Sequence, residues 1–167
     1  MMTLRLTQRA LKWFRKQPGM DVLPATSRLV DWYGNILFTK HYRLLMCTSA
    51  ESLLTILVPV KLIKSLENDI PRHIWKYLIS IGVEGKVLEK ELEQMIMVNI
   101  GKTQNRSILG AMNDMAFNAE ILLERQGRDL YRTIELLNDT PYSTIKMKFP
   151  KDKAINRLKY WEIGQFH

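Results

Sequence analysis

The clearest alternation of apolar and polar positions in the chain runs over residues 105–126. Steps of 100° per residue place Ile108, Met112, Met115, Ala116, Ala119, Leu122 and Leu123 on one broad stripe, the pattern of a helix laid on a core. Asn105 or Ser107 is placed to cap its start, and Gly127 to end it in a left-handed conformation. The opposite side is mixed: Arg106, Gly110, Asn113, Phe117 and Ile121 fall within about a quarter-turn of one another. A glycine inside a helix costs about 1 kcal/mol relative to alanine, so Gly110 predicts that another backbone or a ligand comes close.

Shorter patterns flank this helix. Residues 3–6 read as a first strand, and 7–16 as a helix with Ala10, Trp13 and Phe14 inward, stopped by Pro18-Gly19. Residues 20–30 form a loop. Three β-rich runs, 32–38, 42–48 and 53–58, are joined by Thr39-Lys40-His41 and by Ser49-Ala50-Glu51-Ser52, which predicts an antiparallel meander. The region 62–81 is helical, and Pro71 divides it into two helices. Another helix at 86–93 leads to a strand at 95–100. After the long helix come a helix at 129–137 and an edge strand at 142–149. The expected fold is α+β: a single domain over 1–150 with a small, mainly antiparallel sheet of about five strands packed against several helices. Residues 151–167 are expected as a basic aromatic tail, with Lys151, Lys153, Arg157 and Lys159 beside Tyr160, Trp161 and Phe166.

The run Asn105-Arg106-Ser107-x-Leu109-Gly110-x-Met112-Asn113-Asp114, together with Leu4-Arg5-Leu6-Thr7 and Trp32-Tyr33-x-Asn35-x-x-Phe38, resembles a family of small, functionally uncharacterised bacterial proteins over roughly residues 4–145. The helix run carries most of the likeness. The resemblance implies a single bacterial domain and says nothing of chemistry.

Composition narrows the class. Hydrophobic residues make up 46% and charged residues 25%, ordinary for a soluble globular chain. No apolar run is long enough to span a membrane, since 53–66 is broken by Pro59, Lys61 and Lys64. No continuous apolar segment follows the N-terminal positive charges as a leader requires, so the expected location is the cytoplasm. The single cysteine, Cys47, excludes an internal disulfide and a cysteine-based zinc cluster. It reads as a small core residue of a strand rather than as a nucleophile served by His41. His41, His73 and His167 have no metal-ligand spacing, and no cofactor is expected.

Charge adds an asymmetry. The net charge is +8, and residues 1–50 hold eight Lys/Arg against two Asp. Arg5, Arg9, Lys12, Arg15 and Lys16 occur without an acid among them, a candidate nucleic-acid-binding patch or a solvated helix face whose stems cover apolar surface. Trp32 and Tyr33 are candidate base-stacking platforms or sheet core.

The loop 101–107 joins a strand to the long helix and gives the candidate ligand-binding residues Lys102, Thr103, Asn105, Arg106 and Ser107, with Asn113 and Asp114 further along. Free N–H groups and the helix dipole favour an anion there, and Arg106 adds a donor fork. The competing reading has Asn113 and Asp114 spent on neighbouring backbone. Gly101-Lys102-Thr103 lacks the upstream glycine of a nucleotide-binding P-loop. Among the acids, Asp114 and Glu120 point about 120° apart on the helix and cannot serve one metal ion together. The expectation is a non-enzymatic binding protein for a nucleic acid or an acidic protein, with oligomerisation left open. Two alternatives stand beside it: an enzyme on a phosphate-containing substrate using 101–107 and Asp114, and an antitoxin or defence-system accessory subunit acting through protein contacts.

Overall fold

A computed structural model describes residues 1–20 and 22–163. Five strands, β1 (Met2–Leu6), β2 (Trp32–Phe38), β3 (Arg43–Ser49), β4 (Thr55–Pro59) and β5 (Val98–Lys102), form one mixed sheet in the order β4-β3-β2-β1-β5. The fold is α+β, a single compact domain. β2, β3 and β4 make the expected antiparallel meander, whereas β1 runs parallel to both β2 and β5. Parallel neighbours need long crossovers, and the chain provides them through residues 7–31 and 60–97.

Residues in register share a face of the sheet. One face carries Leu4, Trp32, Leu45, Cys47, Ile56 and Val58; the other carries Arg5, Tyr33, Met46, Thr48, Thr55 and Leu57. Both are covered, so every residue of β1 and all but the first of β3 are buried. Burial pushes the Cys47 thiol far above its ordinary range and fits the small-core-residue reading. Trp32 and Tyr33 are likewise sheet core, not stacking platforms.

The first helix, α1 (Gln8–Trp13), is capped by Thr7, whose Oγ1 accepts from Ala10 N at 3.3 Å. It stops well before Pro18-Gly19, because Arg15 turns into the left-handed region (φ 53°) and Lys16 N returns to Leu11 O at 2.9 Å. With only six residues, α1 buries Ala10 and Leu11 and leaves Trp13 39% exposed, contrary to the inward placement expected.

The region expected as two helices is one, α2 (Leu66–Ser80), with Pro71 inside it. Pro71 lies five residues after the helix start, so the one backbone bond it removes is close to the helix end. Asp69 secures that end: its Oδ2 accepts from Lys64 N at 2.8 Å and Ser65 N at 2.9 Å, and these bonds hold its carboxyl below the usual range. α3 (Gly85–Gln94) follows, and its buried Glu91 accepts from Arg28 N, Leu29 N and Trp161 Nε1.

The long helix, α4 (Arg106–Arg125), begins at the Asn105 cap, whose Oδ1 accepts from Ser107 N and Ile108 N. It ends at Gly127 (φ 62°), with Arg128 N bonded to Leu123 O at 2.8 Å. Contacts from Asn105 N to Tyr33 OH at 3.2 Å and from Thr55 Oγ1 to Met115 Sδ at 3.6 Å lay α4 over the Tyr33 face. Trp13 meets Phe38 edge-on at 5.7 Å, and Phe38 shares the parity of Trp32 and Ile36, so α1 sits toward the opposite face.

α5 (Leu130–Asn138) closes the free edge of β4. The buried Asn138 amide mimics a strand: its Oδ1 accepts from Thr55 N at 2.9 Å, and its Nδ2 donates to Thr55 O and Tyr77 OH at 2.8 Å. Residues 142–149 are not the expected edge strand. They form a single bridge between Tyr142 and Lys148 around a 3₁₀ turn at Ser143–Ile145, because Lys146 and Met147 adopt positive φ and reverse the chain at once. The segment expected as a tail continues into α6 (Pro150–Leu158), which buries Ala154 and Leu158, and Arg157 Nε donates to Arg28 O at 2.9 Å. A last turn, α7 (Tyr160–Ile163), carries Trp161 onto Glu91; Phe166 and His167 lie outside the described residues.

Candidate nucleic-acid interface

The structure places the sequence-predicted residues in several different settings. Asn105 is consumed by the helix cap, which uses two of the N–H groups an anion at the α4 start would need. Lys102, Arg106 and Ser107 are exposed around that start, and Thr103 is half-buried. Beside them a cavity of about 430 Å³ is lined by Arg5, Val30, Asp31, Tyr33 and Asn105. Its charges are already matched: Arg5 Nε donates to Asp31 Oδ2 at 2.5 Å and Nη1 to Lys102 O at 3.2 Å. Arg5 is therefore an internal tie between strands, and the expected five-residue basic patch loses it.

Asn113 and Asp114 are both exposed, and among the described residues neither makes a side-chain hydrogen bond to backbone. The backbone-tying reading of these two residues does not hold. Gly110 is also in open space: beyond its chain neighbours and its own helix backbone, no atom of the described residues lies within 4 Å of where a Cβ would stand, so the close intramolecular approach expected there is absent.

A second opening follows from unequal strand lengths. β1 ends at Leu6 opposite Gly34, while β2 continues to Phe38, so among the described residues the flank of β2 away from β3 has no strand beside it beyond Gly34. α1 borders this gap on one side and α4 on the other. The resulting cleft, about 260 Å³, is lined by Arg9, Asn35, Phe38, Asn113, Phe117 and Glu120. Glu120 also borders a neighbouring hollow with Lys40, His41, Tyr42 and Glu124, where His41 Nε2 lies 3.2 Å from Glu124 Oε1 without hydrogen-bonding geometry.

Cations and aromatic rings alternate in a series that starts from Arg9 and Phe38 of the cleft lining. The Arg9 guanidinium lies 5.6 Å from the Phe38 ring centroid, and that of Arg43 lies 5.5 Å from Trp13. Trp13 and Phe38 in turn meet edge to face. Phe38 is 47% exposed and Phe117 66%, so large ring surfaces face solvent next to charged groups. Lys12 and Arg15 are exposed nearby, whereas Lys16 is paired with Glu67 at 2.6 Å. Sequence reasoning missed Phe38 and Arg43. Their signal was register: a hairpin joining 32–38 to 43–49 sets Phe38 opposite Arg43.

Among the described residues no group of three or more His, Cys, Asp or Glu is placed to hold a metal ion, and no helix is long and apolar enough to cross a membrane. A larger cleft of about 570 Å³ between α2 and α3 is lined by Pro71, Trp75, Leu92, Met95 and Ile96.

Fold and surface thus define a small α+β domain with an open cationic and aromatic cleft. The chain belongs to the family described as a domain of unknown function, DUF6933, which matches residues 3–153. No curated protein and no solved structure matches it.

Proposed function

We propose that this chain is a non-enzymatic binding protein of the bacterial cytoplasm that holds an anionic partner, a nucleic acid or an acidic protein, at the surface formed by α1, the end of β2 and the exposed ridge of α4. The observation that carries this reading is the alternation of Arg9, Phe38, Trp13 and Arg43, which starts from the lining of a cleft whose Asn113 side chain makes no hydrogen bond among the described residues. Guanidinium groups supply charge and planar donor forks, and exposed rings supply contact area at small entropic cost. The uneven charge of the first fifty residues adds a long-range attraction of the same sign.

The test is binding of a labelled single-stranded oligonucleotide and of a poly-glutamate peptide at several salt concentrations, with the wild type and the Arg9→Ala/Arg43→Ala double variant. The reading expects affinity for at least one polyanion to fall with salt, and the variant to bind it more weakly with a shallower salt dependence. Absence of binding to both, or binding indifferent to the two arginines, contradicts it.

A further inference from the structure

Resting on that reading, we infer that the partner is single-stranded nucleic acid, and that the cleft between α1 and α4 seats one unpaired base carrying an exocyclic amine. The charge arrangement separates this occupant from an acidic protein. Arg9 lines the α1 side of the cleft, and Lys12 on α1 and Arg43 on the hairpin are exposed outside its lining, while the α4 wall of the same cleft carries Glu120. An acidic side chain entering the cleft would meet that carboxylate and be repelled. A nucleotide divides its chemistry as the cleft does: phosphates lie along the cations, and the base turns its neutral edge to Glu120, which accepts from the amine of cytosine, adenine or guanine.

The remaining lining fits the same occupant. Asn35 and Asn113 line the cleft, and among the described residues only Asn35 Oδ1 is engaged, accepting from Thr7 Oγ1 at 2.8 Å. Phe117, two-thirds exposed, offers a ring face for stacking, which tolerates any base. At about 260 Å³ the space holds a base and not a duplex, whose bases are stacked and paired. Phosphate contacts would thus position the strand, and the Glu120 wall would choose among bases.

Affinities of the full chain for hexamers of cytidine, adenosine and uridine, for a duplex, and for poly-glutamate test this, with wild type, Phe117→Ala and Glu120→Gln compared at one salt concentration. The expected result is single-stranded over duplex binding, amine-bearing hexamers bound about tenfold more tightly than the uridine hexamer, loss of affinity for every hexamer in Phe117→Ala, and loss of the preference alone in Glu120→Gln. Circular dichroism checks that these exposed substitutions leave the fold intact. Equal binding of all hexamers, a preference unchanged by Glu120→Gln, or tighter duplex binding overturns the inference. Arginine-dependent binding of poly-glutamate without oligonucleotide binding also overturns it and leaves the broader reading standing; binding of neither polyanion removes both.

Discussion

Two polar regions of this domain are built in opposite ways. At the edge of β4, Asn138, Thr55 and Tyr77 are buried and bonded to one another, and around α3 the Glu91 carboxylate is enclosed with three donors. At the α1/α4 cleft, Asn113 and Phe117 are exposed, and among the described residues Arg9 is engaged only by a ring. Buried polar groups that satisfy each other hold a fold together, because leaving any one of them unpaired is costly. Polar groups and rings left to solvent beside a gap in the sheet contribute little to the fold and are available to another molecule. The contrast gives stability to one region, and the binding we propose falls on the other.

The largest expected effect falls on the closed region. Asn138→Ala leaves the Thr55 N–H and C=O and the Tyr77 hydroxyl buried without their partner. It should lower unfolding free energy by about 3 kcal/mol, measured by urea denaturation. A loss under about 0.5 kcal/mol would break the comparison, since surface substitutions give that much.

Next is the α2 start. The pKa of Asp69 is lower in the folded chain than when unfolded, so its contribution is fully present above the unfolded value of about 3.9 and is lost as pH falls through the folded one. Asp69→Asn should cost about 1 kcal/mol near neutrality and flatten the fall of stability below about pH 4. Unfolding curves at stepwise lower pH check both the sign and the window.

Gly110→Ala goes the other way. The site is helical, exposed and open, so alanine should stabilise by about 0.8 kcal/mol. A destabilisation would show that this stretch of α4 must flex or be approached closely. Phe117→Ala is smallest, within about 0.5 kcal/mol, because its ring is mostly in solvent. In the proposed reading its effect falls on binding.

Much of the domain was legible wherever one local period decided the outcome. The α4 stripe, its Asn105 cap, its Gly127 stop and the three meander strands follow from side-chain spacing and turn chemistry. The parallel placement of β1 between β2 and β5 was not legible, because it depends on which distant strands pair. Pro71 misled because a proline near a helix start reads the same in sequence as one that begins a new helix. At the site, residues 106–117 pointed to the exposed ridge of α4, but a one-dimensional pattern could not reveal that β1 ends early and opens a cleft against Asn113. Arg5 looked like a member of the basic run, yet strand alternation turns it onto the buried Tyr33 face and into Asp31.

The most direct measurement is an amide chemical-shift map of the protein titrated with a cytidine hexamer. The account predicts shifts confined to α1, residues 38–43 and the 113–120 stretch of α4, with Thr55, Tyr77, Glu91 and Asn138 unmoved. No shifts anywhere, or shifts centred on the α2/α3 cleft around Trp75 and Ile96, would contradict it.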